Sequence, residues 1–178
     1  MDILHNIDIN ILNWIQEVFR CSFLDWLMPI LTSLGNAGIV WIAICIVLLI
    51  NKKRRKYGIM IACALLLCLL IGNLSLKPMV GRLRPFDVNT AIDILIKKPM
   101  DFSFPSGHTM SSFAAATVLL YMDKKIGIIS LALASIIGFS RLYLYVHYPS
   151  DVLVGLVIGI FLGLLSIKLY SIKYVSKK

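Results

Sequence analysis

Long apolar runs alternate along this chain with short polar or basic interruptions. Uncharged apolar runs cover residues 38–50, 58–76, 126–140 and 152–167. A fifth, 105–122, is uncharged apart from His108 but richer in Ser, Thr and Ala. Such runs predict helices that cross a bilayer, because a helix satisfies its own backbone hydrogen bonds where water is absent. The first, 38–50, covers only about 20 Å at ~1.5 Å per residue, so it must extend back towards Leu34 or sit where the bilayer is thin. The second runs over 57–76 and stops at Lys77-Pro78. The third starts at Pro105 and ends near 123–125, the fourth runs from 126 to about 145, and the fifth from Pro149 to about 170.

The N-terminal part has a different pattern. Ile3, Leu4, Ile7, Ile11, Leu12, Trp14, Ile15, Val18 and Phe19 recur at helical spacing, with Asp2, Asn6, Asn10, Asn13 and Glu17 between them. This predicts an amphipathic helix lying in the membrane interface. Residues 23–34 are apolar but few, include Asp25 and Pro29, and end at Gly35-Asn36. They read as a second interfacial or half-inserted piece. The expected fold is therefore all-α: a polytopic transmembrane bundle of about five core helices with interfacial helices before it, or six if 22–34 spans. Residues 1–36 form the N-terminal segment and 37–178 the core, with a loop over 78–104.

Composition agrees with this class. Of 178 residues, 59% are hydrophobic and 15% charged, which excludes a soluble domain. The N-terminus has no Lys or Arg before Arg20, unlike a cleaved signal peptide. A net charge of +9 would suit nucleic acid, but the distribution of the charge gives a better account. Eleven cations fall on one side of the predicted bundle: Lys52, Lys53, Arg54, Arg55, Lys56, Lys124, Lys125, Lys168, Lys173, Lys177 and Lys178. Six fall on the other: Lys77, Arg82, Arg84, Lys97, Lys98 and Arg141. Cytoplasmic loops carry the excess of Lys and Arg, so the six face outward across a plasma membrane, together with the loop 78–104 and the start of the third helix. Cys21, Cys45, Cys63 and Cys68 have neither disulfide nor zinc-ligand spacing and read as packing residues. Glu17 is the one Glu and the acids do not cluster, which argues against a metal-dependent hydrolase. Gly155, Gly159 and Gly163 repeat every four residues and let another helix approach closely. Packing within the chain is favoured, with a homodimer seam as the alternative.

Three polar clusters converge on the outward side. Lys77, Arg82 and Arg84 stand at a helix end stiffened by Pro78 and Pro85, and such fixed cations suit phosphate oxygens. In Pro105-Ser106-Gly107-His108, a proline-led helix start offers the amides of Ser106, Gly107 and His108 to an anion, with His108 beside it to move a proton. In the stretch 140–151, Arg141 lies inside a spanning run, where charge is costly and marks function. Asp151, in the first turn of a helix opened by Pro149, can reach back to His147 and hold one ring nitrogen, leaving the other basic. That supplies an oriented nucleophile or base. Each cluster also has a plain reading, as flanking charge, a capped helix or an interfacial Tyr belt with a snorkelling Arg.

Together and in this order, the clusters resemble the type 2 phosphatidic-acid phosphatase superfamily, whose signature is KxxxxxxRP, PSGH and SRxxxxxHxxxD. Lys77, Arg84 and Pro85, then Pro105, Ser106, Gly107 and His108, then Ser140, Arg141, His147 and Asp151 match it. The resemblance implies that His147 attacks phosphorus to form a phosphohistidine and that Asp151 orients it. His108 would protonate the leaving oxygen and then activate water. Lys77, Arg84, Arg141, Ser106 and the Gly107 amide would hold the phosphoryl oxygens. No metal or other cofactor is implied, and nucleic acid is not an expected partner. A lipid phosphate or diphosphate drawn from the surrounding membrane lipids is the expected substrate, with undecaprenyl diphosphate first. Phosphatidic acid or phosphatidylglycerophosphate is the alternative. The rival classes are a non-catalytic lipid-phosphate-binding or transport protein and a vanadate-dependent haloperoxidase, whose members are soluble.

The charge asymmetry fixes an orientation that can be measured. In a variant lacking native Cys, a Cys at position 89 should react with an impermeant thiol reagent in intact cells, and a Cys at position 53 should not. The reverse pattern would overturn the orientation.

Overall fold

The computed structural model describes residues 2–175, so Lys177 and Lys178 of the basic tail lie outside it. Every regular element among the described residues is helical. α1 (Asp2–Phe19) and α2 (Ser22–Ser33) lead through a short 3₁₀ turn (Asn36–Gly38) to α3 (Ile39–Ile50). α4 (Arg55–Leu67) continues as a π-helical stretch (Cys68–Leu76) into α5 (Lys77–Val80), and the single turn α6 (Pro85–Val88) follows. α7 (Gly107–Met122), α8 (Lys124–Tyr143) and α9 (Pro149–Val175) complete the chain.

Among the described residues, three segments are long and apolar enough to cross a bilayer: 55–88, α8, and α9 through residue 172. α2 and α3 have 12 residues each and neither is long enough alone. Joined across a 45° bend they reach spanning length as a broken pair. The bend has a backbone cause. Ala37 and Gly38 take left-handed conformations (φ 49° and 71°), which reverse the helical course between the two pieces. The helix of the run expected over 38–50 thus begins after Gly38 and does not continue backwards as one rod. Residues 22–33, read as interfacial or half-inserted, form a separate helix across the bend.

α7 is the central helix, packed against α4, α8 and α9. Its Ser- and Ala-rich composition follows from that position. A helix enclosed by other helices needs small side chains for close approach rather than bulk for lipid contact. Ser112, Ala114, Ala115 and Ala116 are buried there, and Ser112 Oγ accepts the indole N–H of Trp41 on α3 at 2.9 Å. The bulky apolar side chains face outward instead, as at Ile46, Leu66, Ile129 and Phe161.

The Gly155–Gly159–Gly163 stripe faces α7. A Cβ at Gly155 would lie 2.8 Å from the Ser106 carbonyl oxygen, and one at Gly163 would lie 2.8 Å from that of Ala114. At Gly159 it would press on the Met110 carbonyl. α7 therefore fills this stripe, and it offers no seam to a second copy as the dimer alternative required. Gly159→Val should separate α7 from α9 and cost about 1–3 kcal/mol, as overpacking does. Val157→Leu, on the exposed face of the same helix, should stay within about 0.5 kcal/mol. Unfolding of the detergent-solubilised variants measures both, and an unperturbed Gly159→Val would contradict this packing.

Candidate active site

The connections at one end of the bundle bring together residues far apart in sequence. The α4 segment delivers Lys77 at its end, and Gly81 (φ 60°) turns the chain so that Arg82 and Arg84 fold back over it. The loop after α6 returns to the same place, where Ser103 N–H donates to the Arg82 carbonyl at 2.9 Å. α7 begins beneath it, with Ser106 as its N-cap. The last turn of α8 presents Arg141. Tyr145 (φ 57°) then reverses the chain, so that His147 points inward just before α9 starts at Pro149.

Lys77, Arg84, Arg141, His108 and His147 line one polar cavity of about 320 Å³, with Asp101, Asn36, Lys97 and Lys98 at its wall. Arg141 is only 2% exposed. Its Nη1 donates to Thr32 Oγ1 on α2 at 2.6 Å. Its Nε has no partner, and it is the one such buried side-chain nitrogen or oxygen among the described residues. A buried guanidinium N–H left unpaired is costly, so it marks a place for an anion. Asp101 spans the other two cations. It forms an ion pair with Lys77, and its Oδ1 accepts from Arg84 Nη2 at 2.7 Å. Burial alone would raise the pKa of this carboxyl, but Lys77 and Arg84 outweigh burial and hold it down at about 2.

The contacts of His147 define its tautomer. Arg84 Nη1 lies 3.2 Å from His147 Nε2, and a guanidinium can only donate. Nε2 is therefore the acceptor and carries the free electron pair, while the ring proton sits on Nδ1. Nδ1 faces Asp151 Oδ2 at 3.6 Å and Ser103 Oγ at 3.4 Å. Burial, with Arg84, Arg141 and Lys77 close by, pushes the pKa of His147 well below its ordinary value, so the imidazole is neutral near pH 7. Asp151 is fully buried and held from several sides. Its Oδ2 accepts from Ser103 Oγ at 2.5 Å and from Tyr148 N–H at 2.9 Å, and its Oδ1 accepts from Arg82 at 2.7 Å.

The expected residues thus separate into two groups. Lys77, Arg84, Arg141, His108 and His147 meet in the cavity, and Asp151 stands behind His147, though farther from Nδ1 than a direct hydrogen bond. Ser106 and Gly107 are placed differently. The Ser106 amide, expected to face an anion, donates to the Asp151 carbonyl at 3.1 Å, and its hydroxyl lies 2.9 Å from Thr109 Oγ1. Gly107 lines an adjoining cavity of about 700 Å³ instead. That cavity shares Lys77, Asp101 and His108 with the polar one and runs past Ile42, Cys45, Leu65 and Leu69 between α3 and α4. Sequence reasoning missed Thr32, Asp101, Ser103 and Asn36, whose Oδ1 lies 2.9 Å from His108 Nε2. It read Arg82 with Lys77 and Arg84 as a cation suited to phosphate oxygens. Arg82 does not line the cavity but grips Asp151 from behind. Asp101 was within reach of inspection, standing seven residues before His108 as the one acidic residue of the 94–108 stretch.

Comparison with known proteins adds to this geometry. The pattern of the PAP2 superfamily matches residues 58–174. An undecaprenyl-diphosphatase of Sulfolobus acidocaldarius is 35% identical over 153 residues, 85% of this chain and 73% of its own. Among solved structures, LpxE of Aquifex aeolicus superposes with a TM-score of 0.80 at 32% identity, covering 91% of this chain and 95% of that one. A transmembrane PAP2-type phosphatidylglycerolphosphate phosphatase of Bacillus subtilis gives 0.80 at 25% identity, covering 98% and 89%.

Asp101 occupies cations that an incoming phosphate would need. Asp101→Asn should therefore tighten competitive inhibition by inorganic phosphate about tenfold, equivalent to ~1.4 kcal/mol. Unchanged or weaker inhibition would show that Asp101 builds the cation site rather than competing for it.

Proposed function

The chain belongs to the PAP2 superfamily and is a membrane lipid phosphatase, and on that premise we propose that it hydrolyses a polyprenyl diphosphate, undecaprenyl diphosphate first, through a phosphohistidine at His147. The observation that carries this reading is the neutral, buried imidazole whose Nε2 points into a cavity walled by Lys77, Arg84 and Arg141. Those three cations against one carboxylate suit a phosphoryl group, and the unpaired Arg141 Nε is a donor ready for one of its oxygens. The adjoining apolar cavity offers room for a hydrocarbon chain leading away from the phosphate. The 35% identity to an undecaprenyl-diphosphatase supports the choice of lipid.

In the proposed first step the Nε2 electron pair attacks the terminal phosphorus, and the P–O bond to the rest of the diphosphate breaks. His108 gives its proton to the leaving oxygen, which departs as the lipid monophosphate. Arg84, which holds Nε2 in the free enzyme, must swing onto the phosphoryl oxygens as phosphorus arrives. There it joins Lys77 and Arg141 in stabilising the negative charge of the transition state. In the second step His108 takes a proton from water, the resulting hydroxide bonds to phosphorus, and the N–P bond breaks to restore Nε2. Inorganic phosphate leaves. Asp151 faces the Nδ1 proton throughout and balances the positive charge that the ring gains when phosphorylated. No step calls on a metal. The charge asymmetry supports an extracytoplasmic site.

Purified protein in EDTA, given a panel of lipid phosphates, tests the whole reading. Phosphate release should persist under chelation and show its highest kcat/KM with undecaprenyl diphosphate. Faster release from phosphatidylglycerophosphate would move the substrate towards that of the Bacillus subtilis structure, and activity restored only by a divalent ion would remove the scheme. His147→Ala should never take up label from substrate. His108→Ala should accumulate acid-labile phosphohistidine at position 147 in rapid-quench experiments. Label on His108 would reverse the assignment.

A further inference from the structure

α1 turns a carboxylate inward. Asp8 is 1% exposed, although Ile3, Leu4, Ile7, Trp14 and Val18 of the same helix face outward. Its Oδ1 accepts from Ser150 N–H at 2.9 Å. Its Oδ2 accepts from Ser150 Oγ at 2.6 Å and from Arg82 Nη2 at 2.7 Å. Arg82 then reaches Asp151 with its other nitrogen, Nη1 to Oδ1 at 2.7 Å, while its guanidinium lies 3.8 Å from the centre of the Tyr148 ring. His147, Asp151, Arg82 and Asp8 thus form a line from the cavity to the N-terminal helix.

The charges along that line have a consequence. Arg82 against Asp151 alone would be a neutral pair, with little negative charge left for the imidazole. The second carboxylate makes the group of three net negative beside Nδ1. A phosphorylated imidazole that keeps its Nδ1 proton is positive, so negative charge on that side favours its formation. Mere attachment of α1 to Ser150 would not need a charge, because an Asn could accept from Ser150 N–H through its oxygen and donate to Ser150 Oγ through its amide nitrogen. Keeping a carboxylate in a buried ion pair costs desolvation that a neutral peg avoids. α1 also holds the neighbouring loop, through Gln16 Nε2 to the Tyr143 carbonyl at 2.8 Å and Tyr145 O–H to Asn13 Oδ1 at 3.0 Å.

We infer that Asp8 and Arg82 are positioning residues of the reaction: Arg82 fixes the Asp151 carboxylate, and Asp8 balances Arg82 so that Asp151 keeps its negative charge for His147. The inference rests on the phosphohistidine reading above. It gives the N-terminal helix a part in turnover, although that helix does not line the polar cavity.

The test uses the full chain, purified in detergent, with the lipid diphosphate as substrate. Asp8→Asn should lower kcat on the order of tenfold to a hundredfold, as loss of a supporting partner of a histidine does elsewhere, with KM changed less than about threefold. Asp8→Glu, which restores the charge, should recover most of the rate. In an Asp151→Asn background, Asp8→Asn should cost less than about twofold more, since residues that act through one another are not additive. Asp8→Asn at wild-type rate beside an inactive Asp151→Asn would overturn this inference alone. So would a loss that multiplies with that of Asp151→Asn. Full turnover by Asp151→Asn would overturn the underlying role of Asp151 as well. Should Asp8→Asn fail to fold, Arg82→Lys reads the same bridge. A single ammonium cannot span both carboxylates as the fork does, so kcat should fall with KM held, and an unchanged kcat would overturn the inference.

Discussion

The end of this bundle is shaped by the need to keep cations in an apolar setting without leaving their charges unanswered. Lys77, Arg84 and Arg141 are nearly buried, and Arg82 is largely covered. Each carboxylate near them has a particular cation to meet. Asp101 answers Lys77 and Arg84, and Asp8 and Asp151 share Arg82. Arg141 is paired only to Thr32 through one nitrogen and keeps another unpaired. Breaking a buried pair strands a charge, so these contacts fix the loops that carry them. The 78–104 loop, the N-terminal helix and the turn at 144–148 are all tied down by these polar contacts.

Packing in the membrane part supplies the other half. α7 sits among α4, α8 and α9 because its side chains are small and α9 presents glycines to its backbone. The resulting close contact sets the height of Ser106 against Asp151, whose carbonyl takes the Ser106 amide. In this way the start of α7, with His108, is held in register with the start of α9, which follows His147. A change deep in the bundle at Gly159 therefore bears on chemistry at its end.

Much of this was legible in the sequence. Apolar runs pointed to the helical class, and Lys77, Arg84, His108, Arg141 and His147, expected to converge on one side of the bundle, line one cavity. What escaped were single polar residues whose partners lie far along the chain. Asp8 meets Ser150 across 142 positions, Thr32 meets Arg141 across 109, and Asn36 meets His108 across 72. Periodicity registers a residue's face on its own helix, not the charge awaiting it elsewhere, and Asp8 does not stand among the polar positions that pattern picks out. The broken α2–α3 pair escaped for a related reason. Pro29 and Gly35 signal interruption locally, but only the fold shows the two pieces meeting at a 45° bend. Ser106 was misplaced because an N-cap looks free until the Asp151 carbonyl is brought to it.

The central claim is that a neutral histidine takes the phosphoryl group before water does. The stereochemical course at phosphorus tests it most directly. A substrate whose terminal phosphorus bears sulfur and two different oxygen isotopes in known configuration, hydrolysed in water carrying the third isotope, yields inorganic thiophosphate of readable configuration. Each in-line displacement inverts phosphorus, so transfer to His147 followed by transfer to water predicts overall retention. Overall inversion would show a single displacement by water and contradict the account.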